Sequence, residues 1–380
     1  MRYDIVLNSL PAGYSMANAR PGEQVPVLGR EFTSSEDGEM FISRLEGWPT
    51  SILSLLPQEA GIRPANADWF VCVIYPDKKA SIYIDIRPIA EIRAKRSLKK
   101  GEGVYHDDIA EISRLHFEGI EIPADAGVAI LMSVGWRKGF YFDFEPIQPS
   151  GCSRSYDLGA FLGQMFAYLS AQHLFAITDD DWQELIAQQW YPFITLKGET
   201  IKKMVNHVRA GWPVDELLPR VAAEVSECIP RLLERWGSSL FFQPHHQVIE
   251  HALNRHLESD YVSSTSILYP RIEGVIRSCH QQIRHGERAT QGALVKTVTG
   301  ADHAGVEDFS LLMPQRFRAY LKRVYFANFT AGEPAPVSRH SIAHGVASPA
   351  DLSLKASLLG ILVLDQVFFH LKGERPKSDG

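Results

Sequence analysis

The feature that most restricts this fold is a change of period along the chain. Before about residue 146 the apolar residues come in short β-branched and aromatic runs, and after about residue 155 they recur at three- and four-residue steps over long segments. Strand-period and helix-period sequence cannot exchange places, so a strand-bearing part comes first and a helical part second. Residues 146–155 (PIQPSGCSRS) lie between them, rich in Pro, Ser and Gly, and mark the boundary.

In the first part, residues 68–75 (DWFVCVIY) and 80–86 (ASIYIDI) flank Pro76-Asp77-Lys78-Lys79, which predicts a β-hairpin. A second hairpin is expected from 127–134 (GVAILMSV) and 139–144 (GFYFDF), joined by Gly135-Trp136-Arg137-Lys138. Helices are expected at 38–55 and 106–115, the latter with Asp107 and Asp108 in a first turn, where the helix dipole favours carboxylates. Residues 1–150 therefore read as an α+β domain.

Past the boundary, helices are expected over 157–175, 179–189, 197–209, 214–236 and 245–257, with Pro192, Pro213 and Pro244 as breaks. Then come 264–283, a polar stretch at 285–307, and helices over 309–329 and 352–371. This all-α half divides into a helical region, 151–260, and a terminal helical domain, 261–375. In the last helix Leu352, Ala356, Leu359, Val363 and Val367 recur beside Leu358, Ile361, Leu362 and Phe369. So little of its circumference is polar that it must be buried, inside the domain or in a homodimer interface.

A length of 380 residues suits two or three domains, and 45% hydrophobic with 22% charged residues supplies enough apolar surface to fold throughout. The net charge of −6 gives no global basic field, so any nucleic-acid contact needs a local cationic cluster. Cys72, Cys152, Cys228 and Cys279 form no C-x-x-C pair, which argues against a zinc knuckle or disulfide framework and for a reducing, cytoplasmic setting. No signal peptide and no uninterrupted apolar run of membrane-spanning length is visible, so no membrane partner is expected. No P-loop, G-x-G-x-x-G or G-x-S-x-G supports nucleotide hydrolysis, dinucleotide redox or hydrolase chemistry.

The segment with chemistry is Ser338-Arg339-His340-Ser341-Ile342-Ala343-His344-Gly345, between Pro334 and Pro336 upstream and Pro349 downstream. On a helix His340 and His344 lie one turn apart, while Arg339 and His344 are roughly 140° apart. One guanidinium and two imidazoles can thus converge on one anionic group.

Arg339, the polar His340 after it, and His344 resemble the R-polar-x(3 to 6)-H signature of ribonucleases of the HEPN superfamily (higher eukaryote and prokaryote nucleotide-binding). RHSIAHG followed by a helix ending in LGILVLDQ is similar to a bacterial branch with an [N/S]-R-H-x-x-x-H-G segment before its last core helix. Residues 264–277 (STSILYPRIEGVIR), with Pro270 and Glu273, resemble that branch's first core helix. The resemblance covers about residues 260–372 and does not extend to the first 150. It implies cleavage of single-stranded RNA, as by a toxin or phage-defence effector, with His344 in acid/base work, Arg339 on transition-state charge, and His340 in orientation or a second proton role. Glu273 and Ser338 would support them, and family members generally pair two motifs across a homodimer. No metal or cofactor is called for, because RNA carries its own 2′-OH nucleophile and needs only proton transfer and cationic charge.

Between residues 310 and 332 stand Arg316, Arg318, Lys322 and Arg323, without an acidic residue and interleaved with Phe317, Tyr320, Tyr325 and Phe326, which suits a phosphate backbone on stacking rings. An ordinary core helix with a cationic solvated side has the same pattern. The motif likewise has a structural alternative: Arg339 in an ion pair with Glu273, His344 packed at a helix start, and Gly345 a plain cap. A non-catalytic HEPN-like scaffold binding nucleic acid or a partner protein would follow. His245, His246, Glu250, His251 and His256 are the densest histidine group but lack the H-E-x-x-H order of a zinc site. Tyr83, Asp85, Trp136, Arg137, Asp143 and Glu145 are candidates for a first-domain surface that binds a regulatory protein or ligand, although a half-exposed sheet alternates polar residues anyway.

Overall fold

The computed structural model describes residues 1–57, 66–148, 153–300, 309–330 and 337–371. A sheet-rich N-terminal region is followed by a helical one from residue 158 on, which is the α+β then all-α order that the change of period requires. Cys152, Pro334, Pro336 and residues 372–375 lie outside the described residues. The chain forms two compact units, one of Met1–Ile92 with Ile112–Gln172 and one of Arg93–Glu111 with the chain from His173 on.

The first unit carries β1 (Arg2–Val6), β2 (Tyr14–Ser15), β3 (Val27–Leu28), β4 (Arg30–Ser34), α1 (Glu39–Glu46), α2 (Trp48–Leu53), β5 (Trp69–Ile74), β6 (Lys79–Ile84), β7 (Pro88–Ala94), β8 (Ile109–Phe117), β9 (Gly127–Val134), β10 (Arg137–Asp143) and α3 (Leu158–Ser170). Strands β7 and β8 pair with each other, and they carry the chain from this unit into residues 93–111 and back. Six strands form one antiparallel sheet in the order β1-β6-β5-β9-β10-β4. Both expected hairpins are present, β5/β6 and β9/β10. In the second, Arg137 pairs with Val134, so the turn is only Gly135-Trp136, with Gly135 in the left-handed region at φ 61°.

The sheet is covered on both faces. Phe70, Cys72, Ile74, Leu131 and Phe142 pack with Phe41 of α1 and Ile52 and Leu53 of α2. On the other face Trp69, Val71, Val73, Ile130 and Tyr141 pack with Leu162, Met165 and Leu169 of α3. Two-sided burial explains why β5 and most of β9 are continuous apolar runs. The segment after the boundary is tied down by a closed ionic network. Arg154 pairs with Asp143 at 3.2 Å, with side chains 3% and 1% exposed, and donates to the carbonyls of Ala126 and Pro123. Asp143 also accepts from Tyr156 Oη and the Glu145 N–H.

Two local expectations for this part are corrected. The helix expected over 38–55 is two helices that meet at Gly47. The helix expected over 106–115 is a single 3-10 turn, His106–Asp108, followed by strand β8. Asp108 accepts from the Tyr105 N–H and pairs with Arg96 at 2.6 Å, so the acidic pair ends one turn and starts no helix. Ile109 and Ile112 then favour the strand.

The second unit carries α4 (Gln172–Phe175), α5 (Asp179–Ala187), α6 (Gly198–Arg209), α7 (Leu218–Gly237), α8 (His246–Leu257), α9 (Tyr261–Ile283), α10 (Gln291–Thr299), α11 (Pro314–Tyr320), α12 (Arg339–Ala343) and α13 (Leu354–Leu371). Helix α9 packs against α8, α10, α12 and α13, and α13 packs also on α7 and α10. The stretch 285–307, read as polar from its composition, contains α10, whose Leu294, Val295 and Val298 are buried.

Among the described residues α13 is the helix long and apolar enough to cross a membrane, and 83% of it is buried inside the structure. Its intramolecular neighbours account for its apolarity, so that apolarity is no argument for a dimer interface. At its centre the buried Asp365 accepts from Arg235 Nε (2.9 Å), Thr195 Oγ1 (2.7 Å) and Trp236 Nε1 (3.1 Å), which compensates its charge.

Candidate functional site

Helix α12 is short, so its position rests on capping and packing. Ser338 Oγ accepts from the Ser341 N–H at 3.2 Å, and Ser341 Oγ accepts from the Ser338 N–H at 2.9 Å. Both serines are buried, and this reciprocal cap fixes where the helix starts. It ends at His344, after which Gly345 takes the left-handed conformation at φ 67° and its N–H reaches the Ile342 carbonyl. The cap presents Arg339 and His340 at the start of the helix and His344 at its end.

Arg339 meets the Glu273 carboxylate of α9 through Nε, with side chains 26% and 7% exposed. Glu273 also accepts from Arg277 Nε at 2.7 Å, so one buried carboxylate holds two guanidinium groups. No hydrogen bond from either Arg339 Nη is found among the described residues. His340 and His344 lie with near-parallel rings, centroids 6.4 Å apart and planes inclined by 14°. Phe326 stands 6.3 Å from His340, and Phe329 meets His344 edge-on at 5.8 Å. His344 is exposed, whereas His340 is half-buried and its Nε2 is buried without a hydrogen-bond partner among the described residues. Burial holds the His340 imidazole below its usual range and the Arg339 charge adds to this, partly offset by Glu273.

Sequence reasoning marked Arg339, His340, His344, Glu273 and Ser338, and the structure brings these five together with Arg277, Tyr325 and Phe329, which it had not assigned to the motif. Arg277 was findable from its i, i+4 spacing to Glu273. Phe329 was not, because the segment between it and α12 has no period. After α11 the chain continues as a π-helical turn, Leu321–Tyr325, a geometry often found at functional sites. Tyr325 at its end donates to the Tyr269 carbonyl at 2.7 Å, and burial and the nearby Glu273 charge push its hydroxyl well above its usual range.

The four cations marked for RNA are spread over different partners. Arg318 Nε donates to Thr299 Oγ1 at 2.9 Å and Nη2 to the Gly300 carbonyl at 2.8 Å, closing the end of α10. Arg316 pairs with Asp179 at 2.6 Å, and Arg323 bonds Gln183, while Lys322 is exposed.

In the histidine-rich α8 and the residue before it, His245 Nε2 meets Ser278 Oγ at 3.1 Å, His246 Nε2 meets the Leu233 carbonyl at 3.1 Å, and His256 Nδ1 meets Ser357 Oγ at 2.8 Å. Among the described residues no group of three or more His, Cys, Asp and Glu is arranged to hold a metal ion. In the first unit Trp136 is exposed on its turn with Arg137 over its ring at 5.0 Å, while Asp143 belongs to the closed network.

Searches against protein-family models, curated proteins and solved structures find no match.

Proposed function

We propose that the protein is an endoribonuclease of HEPN type that cleaves single-stranded RNA through the 2′-OH, in a toxin or phage-defence role. The observation that carries this reading is the parallel His340/His344 pair beside Arg339, on a short helix whose caps fix all three. The exposed His344 takes the 2′-OH proton as the oxygen bonds to phosphorus, and the bond from phosphorus to the 5′ oxygen breaks. Protonation of that oxygen falls to the motif of a second chain, in the homodimer that the resemblance implies. Arg339 supplies charge to the phosphorane through its Nη groups, and its pairing with Glu273 holds the fork in one orientation. His340, with its Nε2 buried, orients the pair.

The same ion pair favours a second reading. A carboxylate that neutralises Arg339 suits a non-catalytic HEPN-like scaffold that binds nucleic acid or a protein partner. The two readings part on one assay, incubation of diverse RNAs with the purified protein in a chelator. The enzyme leaves 2′,3′-cyclic phosphate ends, and Arg339→Lys weakens cleavage because an ammonium lacks the planar fork. Intact RNA under all conditions, with RNA still bound, selects the scaffold.

A further inference from the structure

The second unit contains a cavity of about 500 Å³ between α5 and α11, lined by residues other than those of the motif. That is within the roughly 300–1,000 Å³ usual for small-molecule sites. Leu174, Ile177 and Met313 give it apolar walls, and Trp182 and Phe175 add two rings. Over the Trp182 ring, 5.4 Å from its centroid, lies the guanidinium of Arg316. Arg316 Nη2 donates to Asp179 Oδ1 at 2.6 Å. Among the described residues this leaves Arg316 Nε and Nη1, and the second oxygen of Asp179, without a hydrogen-bond partner, and both side chains reach solvent.

The wall therefore presents a spare donor, Arg316 Nη1, close to a carboxylate with a spare oxygen, and the guanidinium lies over an indole face. A ligand that fits is a planar ring with acceptors on one edge and donors on the next. Guanine has that edge pattern: O6 accepts from a guanidinium N–H, and N1–H and the 2-amino group donate to a carboxylate. Adenine turns a donor toward the guanidinium, and cytosine offers the carboxylate only its amino group where guanine offers N1–H and the 2-amino group.

We infer that this cavity binds a guanine base, from an RNA strand or a free nucleotide. The inference gives Arg316 a role in base recognition and rests on the RNA reading only for the source of the base.

The test is calorimetric titration of the full chain with GMP, AMP and CMP, without RNA. GMP should bind roughly tenfold or more tighter than the other two, the discrimination of one good bidentate pair. Asp179→Asn, which keeps the side-chain shape, should bring GMP and AMP close together, and Arg316→Ala should weaken GMP roughly tenfold. Both variants should melt at the wild-type temperature. Absence of GMP binding at millimolar ligand overturns the inference, as does equal binding of all three nucleotides or unchanged GMP affinity in folded Asp179→Asn. The same preference among single-stranded G-rich and C-rich RNAs assigns the base to a strand, and preference confined to GMP assigns it to a free nucleotide. GMP binding by a protein that leaves RNA intact sustains the cavity and removes the nuclease reading, and cleavage without GMP preference does the reverse.

Discussion

Each unit holds an arginine against a buried carboxylate, and the two pairs are finished differently. In the first unit Arg154 and Asp143 are both almost fully enclosed, and Arg154 Nε, Nη1 and Nη2 are spent on Asp143 and two carbonyls. In the second, Glu273 is enclosed while Arg339 is a quarter exposed and has no hydrogen bond from Nη1 or Nη2 among the described residues. A pair with every guanidinium nitrogen engaged stitches backbone segments together. A pair with donors left over holds a cation in position for something else. In the second unit burial lowers His245, His256, His340 and His370.

The largest effect expected from this contrast is at Arg154. Arg154→Ala leaves Asp143 buried without its cation, and breaking such a pair costs about 3–5 kcal/mol, read as a lower denaturation midpoint. A loss of less than about 1 kcal/mol would mean that the network is as open as an ordinary surface pair.

The next largest concerns acid. His370 is stacked on Phe317 at 4.9 Å, and burial, with Arg93 adding, depresses it to about 3. Its folded value lies below the unfolded one of about 6.5, so its contribution is complete above about pH 6.5 and is lost as pH falls toward 3. At pH 5 the loss amounts to at most about 2 kcal/mol. Hydrogen exchange at pH 7.5 and 5 should show the second unit loosening before the first, and His370→Gln should flatten the dependence. Equal acid sensitivity of both units would erase the contrast.

The smallest effect is at Arg339. Glu273 keeps Arg277 when Arg339 is removed, so Arg339→Ala should cost only about 1 kcal/mol. A thermal melt as damaging as that of Arg154→Ala would show that the Arg339 pair is stitching as well.

The sequence displayed the hairpins and the long helices because each has a clean period, and in β5 and β9 burial on both faces left only a continuous apolar run, which short length and turn residues still mark as strand. It misled at Asp107-Asp108, where two carboxylates imitate a helix start although Asp108 is spent on Arg96. Helix α10 was hidden because its stretch is polar on average, and two of its five buried residues, Thr297 and Thr299, are themselves polar. The motif was legible as residue types and spacing. The ties of Arg316 to Asp179 and of Arg318 to Thr299 were not, since both join residues far apart in the chain and no local pattern encodes such pairs.

The central claim, that the Arg339, His340, His344 group is built for chemistry, is tested most directly by assaying cleavage and melting on the same samples of wild type and His344→Ala. Wild type should cleave single-stranded RNA in a chelator. His344→Ala should lose about 10²- to 10⁴-fold in rate, the usual worth of one proton-transfer group, with an unchanged melting temperature, because His344 is exposed and among the described residues its ring neighbours are Phe329 and His340. Intact RNA with wild type, together with a lower melting temperature for His344→Ala, would contradict it and make the motif a packing element.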